Sequence, residues 1–134
     1  MNFNQYTQKS LEAVQLSQNI ARDKGHQQLE QVHILAALLG QEGGLTPQLL
    51  GRMEISVESL SAATLQELGK LPAVRGSREA DRFYISADAD AVFTAAEAQA
   101  KAMRDDYVSV EHLFLGLLDA AAGAEDGSRH RPRQ

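Results

Sequence analysis

Leu29-Glu30-Gln31-Val32-His33-Ile34 and Val108-Ser109-Val110-Glu111-His112-Leu113 follow one pattern, and that repetition decides the fold. Setting His112 on His33 fixes an offset of 79. At that offset Ser86 falls on Thr7, Phe93 on Val14, Ala100 on Ala21 and Lys101 on Arg22. Leu117-Leu118 falls on Leu38-Leu39. Identities are few, yet helix caps, apolar stripe and the helix–loop–helix spacing all align. An internal repeat of this kind means one supersecondary unit used twice. Each unit is two helices that cannot bury an apolar face alone. Two units facing each other about a pseudo-two-fold axis make one closed core.

Working outward, the punctuation is helical. Thr7 caps a first helix whose apolar positions are Leu11, Val14, Leu16, Ile20 and Ala21, and Gly25 ends it. A second helix runs from about Gln31 to Leu39, followed by the loop Gln41-Glu42-Gly43-Gly44. Thr46-Pro47 reads as an N-cap with Pro at the first helical position. Ser56 caps a helix with Val57, Leu60, Thr64, Leu68 and Leu71 on one stripe, stopped by Pro72, and this helix bridges the two units. Residues 72–85 carry no period and read as a surface connection. Ser86 caps a helix with Val92, Phe93, Ala96, Ala100 and Met103 inward, and Ser109 caps another through Leu113, Phe114, Leu117 and Leu118. The expected organisation is an all-α domain over 1–122. Repeat one spans about 6–40, a bridging region 41–85, and repeat two about 86–119. Past Ala120 the chain has no large apolar residue, so 123–134 is expected to be a disordered tail.

Composition agrees. The 134 residues suit one domain. They include 20 Ala and 17 Leu against 15 β-branched residues, a balance that favours helix. There is no Cys, which excludes a disulfide framework, a thiolate metal site and a Cys nucleophile. The formal charge is −5, and three of the 13 basic residues are Arg129, Arg131 and Arg133. Without them ten basic residues face 18 acidic ones. So acidic a body is a poor nucleic-acid partner, because phosphate contacts need a basic face. The Arg cluster reads as a solvated terminus. No apolar run approaches the ~20 residues that span a bilayer. The first residues lack the basic-then-apolar order of a signal peptide. The expectation is a soluble, cytoplasmic protein without a membrane or nucleic-acid partner.

Catalytic patterns are missing. The one Gly-Lys pair, Gly69-Lys70, is followed by Leu71 and is no phosphate loop. Gly-x-Gly-x-x-Gly and Gly-x-Ser-x-Gly are absent. Glu30-x-x-His33 has the spacing of a di-iron ligand pair, but the matching stretch has Ser109 where the second Glu would be. A metalloprotein built on Glu30 and His33 stays as a rival reading, and no metal, cofactor or enzyme activity is expected. His33 and His112 sit in the first turn of their helices and read as structural, each imidazole bonding a neighbour. Glu111 is either a first-turn acid favoured by the helix dipole or a charge on a groove rim. Phe93 reads as core.

These residues resemble the Clp N-terminal domain, the double helical repeat at the front of ring-forming AAA+ unfoldases. The resemblance rests on Tyr6-Thr7 with the helix after it, Leu29-Glu30-x-x-His33 with Leu38-Leu39, and Val108-Ser109-x-Glu111-His112-Leu113 with Leu117-Leu118. Gln41-Glu42-Gly43-Gly44 and Leu71-Pro72-Ala73-Val74-Arg75-Gly76 are similar to the ClpB disaggregase branch. The resemblance covers about residues 3–120. It implies a non-enzymatic module that caps a hexameric AAA+ ring. Such a module binds exposed segments of unfolded or aggregated proteins in an apolar groove. The groove positions it implies are Thr7, Phe93, Ala95, Glu111 and His112; Ala95 and His112 stand where an apolar side chain is common, so a shallower, more polar groove is implied. Docking of a folded adaptor or co-chaperone, as in the protease-linked branch, is the alternative. The family domain continues with a further helix that 120–134 does not supply, so the chain is expected to be either a fragment or a stand-alone truncated Clp N-domain protein, with exposed apolar surface and self-association.

Overall fold

The computed structural model describes residues 3–73 and 84–126. Helices α1 (Gln8–Asp23) and α2 (Gln31–Gly40) form the first pair, with the two-residue strand β1 (Gln28–Leu29) between them. Helices α3 (Thr46–Arg52) and α4 (Val57–Gly69) follow, then strand β2 (Tyr84–Ile85). Helices α5 (Ala87–Ala102) and α6 (Val110–Asp126) form the second pair. α1 packs on α2 and α5 on α6, α4 lies along α2, and α3 reaches α6. One core joins both halves and includes Val14, Leu29, Leu38, Phe93, Leu113 and Leu117.

The repeat holds at the level of individual hydrogen bonds. Thr7 Oγ1 accepts from the Ser10 N–H, and Ser86 Oγ accepts from the Ala89 N–H. At the other helix end the His26 N–H reaches the Ala21 carbonyl and the Asp105 N–H reaches the Ala100 carbonyl, both at 2.9 Å. The turning residue has positive φ in both copies, Gly25 at 76° and Arg104 at 61°. Glycine takes that conformation without penalty; Arg104 takes it against a steric cost. The two units also exchange partners. The Thr7 N–H donates to the Val108 carbonyl at 2.9 Å, and the Ser86 N–H donates to the Leu29 carbonyl at 3.0 Å. β1 and β2 pair in parallel, Leu29 opposite Ile85, and Tyr6 bridges Val108 in the same sense. These two pairings are one interaction seen twice across the pseudo-two-fold axis.

Several expectations need correction. Thr46 is not the cap of α3 but its first residue, fully buried, with Leu45 at the cap position. Tyr84-Ile85 is not plain connection, because the pseudo-symmetry requires a strand partner for Leu29. Leu11 and Met103 are exposed (39% and 46%) where an inward position is expected. The buried face of α1 is instead Ser10, Ala13, Val14, Ser17 and Ala21. Small residues let α1 sit close to its neighbours, with Ser10 Oγ donating to the Val108 carbonyl at 2.8 Å. Leu118 is likewise 39% exposed. α6 runs to Asp126, so 123–126 is helical and not tail. Alanine is the strongest helix former, and Ala120-Ala121-Ala122 carries the helix on without large side chains. The rest of the expected tail, 127–134, and the connection 74–83 lie outside the described residues.

Gly116 marks where the second pair is tightest. A Cβ there would lie 2.6 Å from the Val92 carbonyl oxygen and 3.1 Å from the Ala96 nitrogen, both backbone atoms of α5. Its repeat equivalent is Ala37, fully buried, so the first pair leaves room for a methyl group. In an open helix Gly→Ala gains about 1 kcal/mol. Here overpacking reverses the sign, and Gly116→Ala is expected to destabilise by about 1–3 kcal/mol. Urea unfolding measures it; a stabilised variant would refute the close approach.

Candidate functional site

The segment before α1 lies across the second repeat. Phe3 meets Tyr6 edge-on, with ring centroids 4.8 Å apart, and meets Phe93 edge-on at 5.6 Å. The Tyr6 hydroxyl donates to Glu97 Oε2 at 2.9 Å. Burial and the neighbouring Glu97 carboxylate push the phenol well above its ordinary range, so it stays a neutral donor. Thr7, tied to Val108, therefore stands next to the turn that opens α6.

The histidines are part of that turn and of its twin. The Glu30 N–H donates to His33 Nδ1 at 2.9 Å, and the Ser109 N–H donates to His112 Nδ1 at 2.8 Å. Each imidazole thus takes a free N–H at the start of its helix, the task a Glu or Gln performs in a capping box. Since Nδ1 accepts, the ring proton sits on Nε2. That proton goes to His26 Nδ1 at 2.8 Å in one repeat and to Asp105 Oδ2 at 2.9 Å in the other. His26 and Asp105 are themselves 79 apart. His33 is fully buried. Burial first, then His26 and Lys24, lower its pKa from 6.5 to about 4. Both ring nitrogens of His33 are engaged, which leaves neither lone pair for a metal. Among the described residues no group of three or more His, Cys, Asp or Glu is placed to hold a metal ion.

The five positions implied for a groove fall into two sets. Thr7, Ala95 and Glu111 are partly exposed, on the α1 cap, α5 and the first turn of α6. Phe93 is fully buried and His112 is 2% exposed, so both lie behind the surface and support it from within. None of the five lines an apolar depression of about 410 Å³ between α2, α3, α4 and α6. Its walls include Leu35, Ile55, Leu60, Phe114 and Leu118. Sequence reasoning missed this groove, though Phe114 and Leu118 stand four apart on α6. Among the described residues no helix is long and apolar enough to cross a membrane.

Residues 5–126 match the family model described as the Clp repeat (R) N-terminal domain. The chain belongs to that family. This Clp N-domain is 42% identical over 91% of its length to the chaperone protein ClpB of Nitratidesulfovibrio vulgaris. It is 38% identical over 88% of its length to the ClpB of Clostridium tetani. It spans 14% of the length of each. The Hsp104 N-terminal domain from Candida albicans has the same fold, with a TM-score of 0.79 at 21% identity. That match covers 91% of this Clp N-domain and 79% of the Hsp104 chain. The N-terminal domain of ClpD from Arabidopsis thaliana also shares the fold, with a TM-score of 0.65 at 22% identity, covering 94% and 83% of the two chains.

Proposed function

We propose that this chain is the substrate-binding N-terminal module of a ClpB-like, ATP-dependent disaggregase working in the cytoplasm. In this reading it does no chemistry of its own. It is carried by a hexameric AAA+ ring and takes up exposed segments of unfolded or aggregated polypeptides. The observation that carries the reading is the 42% identity to a ClpB chaperone across nearly the whole chain. The contact surface proposed is the edge where α1, α5 and α6 meet. Thr7, Ala95 and Glu111 offer a hydroxyl, a methyl and a carboxylate there, and Phe93 and His112 hold the backbone beneath. A shallow, mixed surface suits a binder of many sequences, because a few apolar contacts give weak affinity without a fixed partner.

Anisotropy of a fluorescently labelled, permanently unfolded protein tests this. The expected result is weak, saturable binding that the same protein, when folded, does not compete away. Glu111→Lys together with Thr7→Asp is expected to weaken it while leaving the circular dichroism unchanged. No binding of any unfolded chain would overturn the proposal, and selective capture of one folded partner would point to adaptor docking.

A further inference from the structure

Phe93 is one of the groove positions that the family resemblance implies, yet it has no exposed surface. A ring that helps to close it is the chain's own Phe3, edge-on at 5.6 Å. Phe3 is only half-buried, and Asn4 and Gln5 after it are exposed. The firm pairing of this segment begins behind it. The Val108 N–H donates to the Gln5 carbonyl at 2.8 Å, the Thr7 N–H donates to the Val108 carbonyl, and the Tyr6 hydroxyl donates to Glu97. Phe3 holds on through its ring contacts and through the Tyr6 N–H, which donates to its carbonyl at 3.1 Å across a turn. Moving Phe3 outward therefore leaves the Val108 pairing and the Thr7 cap in place. The seat it vacates is aromatic on two sides, since Phe3 also meets Tyr6 edge-on at 4.8 Å. Edge-on rings gain more than their buried area alone, so such a seat favours a ring over an aliphatic side chain.

We infer that Phe3 is an internal stand-in for substrate: it fills an aromatic seat on Phe93 and Tyr6 that an aromatic side chain of an unfolded segment takes over when Phe3 moves out. This rests on the substrate surface proposed above, and it names what that surface selects and what holds its affinity down. Phe3 belongs to the same chain, so it competes at every substrate concentration. The measured affinity is the intrinsic one scaled by the fraction of chains whose seat is open. A seat closed about nine-tenths of the time binds about tenfold more weakly than an open one.

The probe is a flexible Gly-Ser peptide carrying one Phe, compared with a twin carrying Leu there, titrated into the isotope-labelled chain. The expected result is saturable shifts of the Tyr6 and Phe93 rings, with the Phe3 ring moving toward the position of an exposed phenylalanine. The leucine twin is expected to bind about threefold or more weakly. Phe3→Ala is expected to keep the helical circular dichroism and to bind the Phe peptide about tenfold more tightly. The Phe3 ring shift is read in the parent chain, so it needs no variant. Absent shifts, a Phe3 ring that stays in place while peptide binds, equal affinity for both peptides, or a folded Phe3→Ala chain that binds no more tightly would overturn the inference. A permanently unfolded protein added to the same sample separates this from the proposed function. Shifts at Thr7 and Glu111 with Phe3 unmoved overturn the stand-in role alone, and no shift at any residue overturns both.

Discussion

Phe93→Ala is expected to lower the unfolding free energy by about 3–5 kcal/mol, the range for a fully buried aromatic replaced by a methyl. The side chain has no exposed surface. It lies on the buried face of α5 with Ala89, Val92, Ala96 and Ala100, all small or β-branched, so little can move in to refill the space. It also seats Phe3, whose ring meets it edge-on at 5.6 Å. The loss should therefore spread to the segment that carries Tyr6 and Thr7. Against a typical total of about 5–15 kcal/mol, the variant would be marginal. Urea unfolding followed by circular dichroism measures it. The result also separates two roles for Phe93. A residue that only touched ligand would change binding and leave the midpoint almost where it was. A loss below about 1 kcal/mol, the size of a surface substitution, would contradict the core role.

Acidification is expected to act through His33 with an effect of similar size. Its folded pKa is about 4, below the ordinary 6.5. Above pH 6.5 both the folded and the unfolded chain hold it neutral, and its contribution to stability is complete. Between pH 6.5 and 4 the unfolded chain takes up the proton and the folded chain does not, so stability falls as pH falls. Below pH 4 the loss levels off, at about 3 kcal/mol by linkage. Structurally, a proton on Nδ1 displaces the Glu30 N–H from its acceptor, and a proton on His26 Nδ1 breaks the bond between the two rings. Carboxylates titrate in the same window, so the signal is the difference between the parent chain and His33→Gln. The variant is expected to be less stable at pH 7 and to lose less on acidification. Parallel pH profiles for the two proteins would contradict a buried, neutral His33.

Much of this architecture is legible in the chain because repetition leaves marks in several residue types at once. Thr7 and Ser86 as caps, and His33 and His112 in the first turns, agree on one offset, which no single periodicity establishes. The structure adds that Gly25 and Arg104 turn the chain alike, which sequence hides because one of them is not glycine. The role of the histidines was open to half a reading: a structural imidazole is legible, but the partners His26 and Asp105 are not, since nothing in a loop residue announces its bond. The two-residue strands are too short for an alternating pattern, and their pairing follows only from three-dimensional symmetry. The face of α1 misleads because Ser10 and Ser17 are buried while Leu11 is not; their hydroxyls are satisfied by the Val108 and Val14 carbonyls. Among the implied groove positions, Phe93 is legible as core from the inward stripe of its helix, but the edge-on seat it gives Phe3 is a long-range contact that the sequence hides.

The most direct measurement of unfolded-chain binding is a residue-by-residue NMR map of the labelled chain as a permanently unfolded protein is added. Fast-exchange shifts are expected, centred on the amides of Thr7, Ala95 and Glu111 and fading where Thr7 and Glu111 are substituted. A spectrum unchanged at those amides, with the unfolded protein in large excess, would contradict the proposed contact surface.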